Sequence, residues 1–341
     1  MIDLVPSDEQ RELTDSVSAF LARELPLSRF YPTPEARPNE DAEKWPAMAE
    51  LGFFGVGVPE EAGGVGFGLL EEMLLFREFG RFAVSTNALA TVLGAHAAAS
   101  IGRQDIVEAL LSARARASVA LPREPYCGGV AADAEHHLID GVESDWALVW
   151  DEAAASLLPR AAIAEVAGVK SLDWTLPLSL VRLTGGRGAV CGPADGAIFR
   201  RAGVLISAYL VGLAEAARDD SVAYAKVREQ FGQAIGAFQA VKHRCADMAA
   251  RAEAAWCLVL LAGLAAQHGQ ADALFQIASA RMVAGDAALR NASANIQNHG
   301  ASGFTAELEA HILLKRAHVM LQLGGDQQTQ QTILMRQPAP V

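Results

Sequence analysis

From Ala202 to about Gln331 the chain keeps one period. Apolar residues return every three or four positions, as in the stripe Phe238, Val241, Cys245, Met248 and Ala252, and that spacing lines one face of a helix. His268 followed by Gly269 reads as a helix stop. A second helix is expected over about 272–298 and a third over about 307–323, closed by Gly324 and Gly325. Stripes of this length have to be buried against other helices. Residues 117–199 differ: ASVAL, HHLID, DWALVW and LSLVRL are short runs separated by Pro, Gly and Asp, which suits strands. Ahead of them the chain is helical again. Ser7 with Gln10 fits a capping box, YPTPEARP (31–38) is a proline-broken loop, and Trp45, Met48 and Leu51 open a helix stopped at Gly52. EEAGGVGFG (60–68) connects it to an amphipathic stretch from Leu69 to Phe79. Helices, then strands, then helices predict a layered, mainly α chain with a small β domain and not a parallel α/β sheet. The divisions expected are an N-terminal helical domain (1–116), a shortened middle β domain (117–199) and a C-terminal helical bundle (200–335).

Composition narrows the function. Of 341 residues, 51% are hydrophobic and 20% charged, and the net charge is −12; such a chain buries large cores and is a poor match for nucleic acid or an anionic membrane. The N-terminus shows no apolar secretory segment. The longest apolar run, AAWCLVLLAGLAA (254–266), is shorter than the roughly 18 residues a membrane span needs. Cys127, Cys191, Cys245 and Cys257 show no C-x-x-C spacing, so they are expected to be reduced, mostly buried thiols of a cytoplasmic protein. The glycines at 64, 66 and 68 lack dinucleotide spacing, and neither a G-x-x-x-x-G-K-[ST] nor a G-x-S-x-G motif occurs. His311 and His318 lie two turns apart on one helix; solvated side chains, not a metal site, are expected there.

Two stretches carry more chemistry. In REQFGQAIGAFQ (228–239), Arg228, Phe231, Gly232, Phe238 and Gln239 occupy the end of one helix, a tight bend and the start of the next. Gly232 inside a helix would cost about 1 kcal/mol relative to alanine. An arginine beside a backbone opened by glycine is placed to fork onto a phosphate, or it is a surface arginine at a helix hairpin. In IQNHGASGF (296–304), Gly300 and Gly303 permit a close backbone approach and Gln297 offers both donor and acceptor.

Together these stretches resemble the acyl-CoA dehydrogenase family of flavoproteins. R-x-x-F-G-x-x-[IL]-x-x-[FH]-Q (228–239) followed by ADM (246–248) is similar to its main signature, Q-x-x-G-x-x-G-F (297–304) to its second, and LGFFGVGVPEEAGGVGFG (51–68) to its N-terminal region. The resemblance implies a C-terminal four-helix bundle and FAD, whose pyrophosphate half reaches a neighbouring subunit, with Arg228, Phe231, Gln239, Gln297 and Gly300 as the coenzyme-holding positions. It implies removal of an α-proton by a carboxylate and loss of hydride from the β-carbon, with an electron-transferring flavoprotein as acceptor.

The sequence departs from the family in two places. The position of the usual catalytic glutamate holds Gly324, and the alternative position falls near Ala202; neither accepts a proton. The stretches that hold the flavin ring in the family correspond here to LPREPYCGG (121–129) and DGVESDWALVW (140–150), shortened, with Trp146 read as a strand residue. The resemblance therefore extends to the base-lacking subunit of heteromeric actinobacterial acyl-CoA dehydrogenases, two copies of each chain with half the usual flavins, that shorten steroid side chains. The expectation is a chain with no catalytic residue of its own, sharing FAD with a homologous partner that supplies the base. A self-sufficient homotetramer using Asp326 as a displaced base, and a flavin-free scaffold, are the alternatives. No metal is expected.

Overall fold

The computed structural model describes residues 6–30, 40–123, 134–141, 143–184, 190–191 and 195–337. The loop expected at 31–38, Cys127 and the last four residues lie outside them. The N-terminal helices are α1 (Asp8–Glu24), α2 (Glu40–Glu50), α3 (Leu69–Arg81), α4 (Asn87–Ala99) and α5 (Gln104–Leu111). The capping box forms as read: Ser7 accepts from the Gln10 N–H while the Gln10 side chain accepts from the Ser7 N–H. Seven short strands follow: β1 (Ala117–Pro122), β2 (Glu135–Ile139), β3 (Trp146–Trp150), β4 (Ala155–Pro159), β5 (Ile163–Val169), β6 (Leu178–Leu183) and β7 (Val190–Cys191). They form one sheet in the order β5-β6-β2-β1-β3-β4-β7. The chain then continues as α6 (Ala197–Val227), a ribbon of β8 (Glu229–Gln230) and β9 (Gln233–Ala234), α7 (Gln239–Gln267), α8 (Ala273–His299), α9 (Ala310–Met320) and α10 (Gln327–Arg336). The architecture is mainly α with a small β domain between two helical segments.

Contacts gather into two units. One contains residues 38–72 and 84–203. Its sheet is antiparallel except where β1 runs parallel to β3, and its core comprises Ala120, Leu138, Ala147, Val149, Leu158, Val181 and Leu183. At its centre Glu72, 1% exposed, accepts from the Gly57 N–H at 3.1 Å, from His96 Nε2 at 2.6 Å and from the Arg201 guanidinium. A side chain at Gly57 would collide with the Glu72 carboxyl, so the glycine makes room for the ion pair.

The other unit contains residues 1–37, 73–83 and 204–341. Within it α3 crosses α6 at two glycines. A Cβ on Gly80 would strike the Tyr209 carbonyl, and one on Gly212 the Arg77 carbonyl; both helices approach backbone to backbone. Arg77 flanks the crossing, forked onto Glu215 at 2.8 and 2.5 Å and lying 4.3 Å over the Trp256 ring. Beyond it α7 packs along α8, which in turn packs on α9 and α10. By length and composition α6 and α7 are long and apolar enough to cross a membrane, but 78% and 50% of their apolar windows are buried within the chain; for α6 helix packing accounts for the hydropathy. Gly269 has φ +60 just past α7, as the stop signal predicted. Cys257 corrects one expectation: it is exposed, on the outer face of α7.

The Glu72 cluster has a measurable consequence. Burial pushes its carboxyl up, but the charges and hydrogen bonds of His96 and Arg201 bring it down from 4.5 to about 2. A carboxyl held below its unfolded value contributes stability above about pH 4.5 that is lost as the pH falls toward 2. Glu72→Gln, which leaves the Arg201 charge uncompensated, is expected to cost about 3–5 kcal/mol at neutral pH and to flatten the acid limb of the unfolding curve, measured by denaturant titration across pH.

Candidate functional site

The tight bend expected between two helices around Arg228 is there, and it is built as a β-hairpin. The Arg228 N–H donates to Tyr224 O at 2.9 Å, completing the last turn of α6, and the Arg228 carbonyl then accepts from the Ile235 N–H at 2.7 Å. Between them Glu229 pairs with Ala234 and Gln230 with Gln233. The two turn residues, Phe231 at φ +54 and Gly232 at φ +80, are both left-handed, as a two-residue hairpin turn matched to strand twist requires. Gly232 therefore carries no helix-interior penalty; it supplies a conformation glycine adopts freely. Phe231 does not, and holding it there costs of order 1–3 kcal/mol. The strain presents a ring that is 92% exposed, with Phe238 edge-on to it at 6.1 Å. Arg228 stands exposed at the hairpin's base.

Two more helix ends arrive at the same place. α7 begins at Gln239 with no side-chain cap and no acidic residue in its first turn, so its own first turn does not neutralise the positive end of its dipole. α8 ends at His299, after which Gly300, at φ +64 and ψ −137, turns the chain. Gly303 sits so close to the Ile296 carbonyl that a Cβ there would overlap it, and Phe304 is left 78% exposed. The helix ends are joined behind this surface. Tyr224 of α6 stacks on His299 of α8 at 4.1 Å. Asn298 donates to Ser221 Oγ at 3.0 Å and accepts from Arg244 of α7 at 2.6 Å, while Ser221 Oγ donates to Asn295 Oδ1 at 2.9 Å.

Arg228, Phe231, Gln239, Gln297 and Gly300, chosen from sequence as coenzyme contacts, are thus gathered at one end of the helical layer, all exposed. Among the described residues none hydrogen-bonds or ion-pairs with the side chains of Arg228, Gln239 or Gln297. A Cβ built on Gly232 or Gly300 meets nothing within 4 Å, so the backbone there is open. A forked guanidinium, an uncapped helix N-terminus and two carboxamides fit a diphosphate bearing a polar base. Sequence reading missed the adjoining α7–α8 groove of ≈ 650 Å³, lined in part by Arg244, Asp247, Arg251 and Arg290; the repeated arginines were its only signal.

The two positions where the resemblance would put a base hold no proton acceptor. Ala202 is 1% exposed inside α6. Gly324 and Gly325 form a left-handed turn at φ +69 and +99, tied down by Arg281 Nη2 to Leu323 O at 2.7 Å and by Gln330 Nε2 to Gly324 O at 3.0 Å. Asp326, the displaced-base candidate, caps α10, accepting from the Thr329 N–H at 2.9 Å and from its hydroxyl at 2.7 Å. Those bonds, the backbone one first, hold its carboxyl below the usual range, the reverse of what a general base at neutral pH needs. The D-Q-Q-T spacing would have announced this cap. Trp146 opens strand β3, as read. Residues 124–129 of the flavin-ring stretch lie outside the described residues.

Residues 7–117 match the acyl-CoA dehydrogenase N-terminal domain and residues 197–338 the acyl-CoA dehydrogenase C-terminal domain. The acyl-CoA dehydrogenase FadE34 of Mycobacterium tuberculosis is 33% identical over 82% of this chain, which spans only 40% of that protein's length. Acyl-CoA dehydrogenase IpdE2 of the same organism is 28% identical over 94% of both chains. Among solved structures, the ChsE4–ChsE5 complex from Mycobacterium tuberculosis superposes with a TM-score of 0.84 at 22% identity, covering 99% of this chain and 100% of that one, a likeness of fold. With both of its helical segments matched by domains of one family, and the signatures of that family meeting at one surface, this chain belongs to the acyl-CoA dehydrogenases.

Proposed function

We propose that this chain is the half-site subunit of a heteromeric, FAD-dependent acyl-CoA dehydrogenase that desaturates a CoA thioester between its α and β carbons. One observation carries the reading: donors at Arg228, Gln239 and Gln297 face solvent without partners among the described residues, while Gly324 and Ala202 stand where the resemblance puts the base. FAD, when bound, supplies the hydride acceptor. Arg228 would neutralise and orient its diphosphate, Gln239 and Gln297 would hydrogen-bond the ADP half, and Phe231 would cover it from water. The homologous partner would contribute the ring pocket and the carboxylate that takes the α-proton. The ChsE4–ChsE5 complex supports a two-chain assembly by likeness of fold. A steroid side-chain thioester as substrate, an electron-transferring flavoprotein as acceptor and a cytoplasmic location belong to the same proposal.

In the complex co-purified with its homologous partner, Arg228→Ala is expected to weaken FAD retention about tenfold to a hundredfold, the range for losing a charge-assisted hydrogen bond. Fluorescence of released flavin reads the effect; unchanged retention removes Arg228 from the coenzyme. Asp326→Ala is expected to leave turnover unchanged and to lower stability by about 1 kcal/mol through loss of the helix cap. A collapse of turnover at retained stability would favour the self-sufficient enzyme instead.

A further inference from the structure

We propose that Tyr224 and His299 are a positioning pair that sets Arg228 in register with Gln297 and Gly300 without touching coenzyme. The proposal rests on reading this end of the bundle as the coenzyme-holding surface. Phosphate recognition needs the guanidinium fixed within about 0.5 Å, yet Arg228 immediately precedes a two-residue ribbon strand and its side chain has no anchor among the described residues. Its backbone is fixed one turn earlier, where its N–H donates to Tyr224 O at 2.9 Å. The Tyr224 ring lies 4.1 Å from the His299 ring at an interplanar angle of 28°, and His299 lies between Gln297 and Gly300 in the chain.

The histidine is itself held on two sides. Its Nδ1 sits 3.0 Å from Asn295 O; a carbonyl only accepts, so Nδ1 carries the proton. Its Nε2 faces Asp220 Oδ1 at 3.7 Å, and Asp220 is anchored by Asn295 Nδ2 at 2.7 Å. His299 is 7% exposed, so the orientation of its ring is set by protein. A displacement of the stack therefore moves the last turn of α6, and with it Arg228, relative to the turn bearing Gln297 and Gly300.

The test is a double-mutant cycle in the co-purified complex, reading the FAD dissociation constant by flavin fluorescence and folding by thermal melt. Tyr224→Leu and His299→Leu are each expected to weaken FAD about tenfold, and in Tyr224→Leu/Arg228→Ala the loss of Arg228 should add under about threefold, because neighbours that act together are not additive. His299→Phe keeps the stack and should stay within about threefold of the parent, whereas His299→Gln loses the stack while keeping a donor and should resemble His299→Leu. Parental affinity in folded Tyr224→Leu or His299→Gln, or full additivity in the double variant, overturns the pairing. If a leucine variant fails to fold, the His299→Phe and His299→Gln comparison decides. Parental affinity in Arg228→Ala overturns the coenzyme reading, and the pairing with it.

Discussion

Buried amides between three helix ends hold the C-terminal surface together. Asn295 is fully buried and Asn298 nearly so, and between them they reach Asp220 and Ser221 on α6, Arg244 and Cys245 on α7, and His299 at the end of α8. Apolar stripes alone allow helices to slide by a turn at small cost, whereas a satisfied polar network has one arrangement. α6 is fixed again further back, where Gly80 and Gly212 let it lie backbone against backbone on α3. With α6, α7 and α8 in register, Arg228, Gln239 and Gln297 are brought to one surface from positions far apart in the chain.

That surface and the base turn are opposites in energetic terms. At the hairpin a strained, exposed phenylalanine, an exposed arginine and an uncapped helix end face solvent. Backbone strain of this kind clusters at ligand-binding and active sites. At Leu323–Asp326, where the resemblance places the catalytic carboxylate, polar groups are engaged within the chain: Arg281, whose burial lowers it to about 10, holds the Leu323 carbonyl, Gln330 holds that of Gly324, and Asp326 is committed to Thr329. The backbone is open at Gly232 and Gly300, whereas the Gly324 turn is tied down within the chain.

Much of this could be read from sequence, for definite reasons. Period and punctuation exposed the helix–strand–helix order, the Ser7 capping box and the stop at Gly269, since each depends on residues a few positions apart. The R-x-x-F-G and Q-x-x-G-x-x-G-F patterns marked the surface itself. The hairpin was hidden because two-residue strands carry no alternation and because Phe-Gly stands where Asn-Gly is the usual signal. The Glu72–His96–Arg201 cluster joins residues 129 apart, a pairing that no local pattern encodes. Stacking of Tyr224 on His299 was equally invisible: each residue looks like an ordinary helix position until α6 and α8 are side by side.

The decisive measurement is flavin-to-protein stoichiometry in the purified assembly, with native mass fixing its subunit count. One FAD for each pair of unlike chains, and no stoichiometric flavin or turnover when this chain is isolated, is the expected result. One FAD bound per copy of this chain on its own, with turnover, would show that it holds both the coenzyme's ring and a proton acceptor, and would contradict the half-site reading.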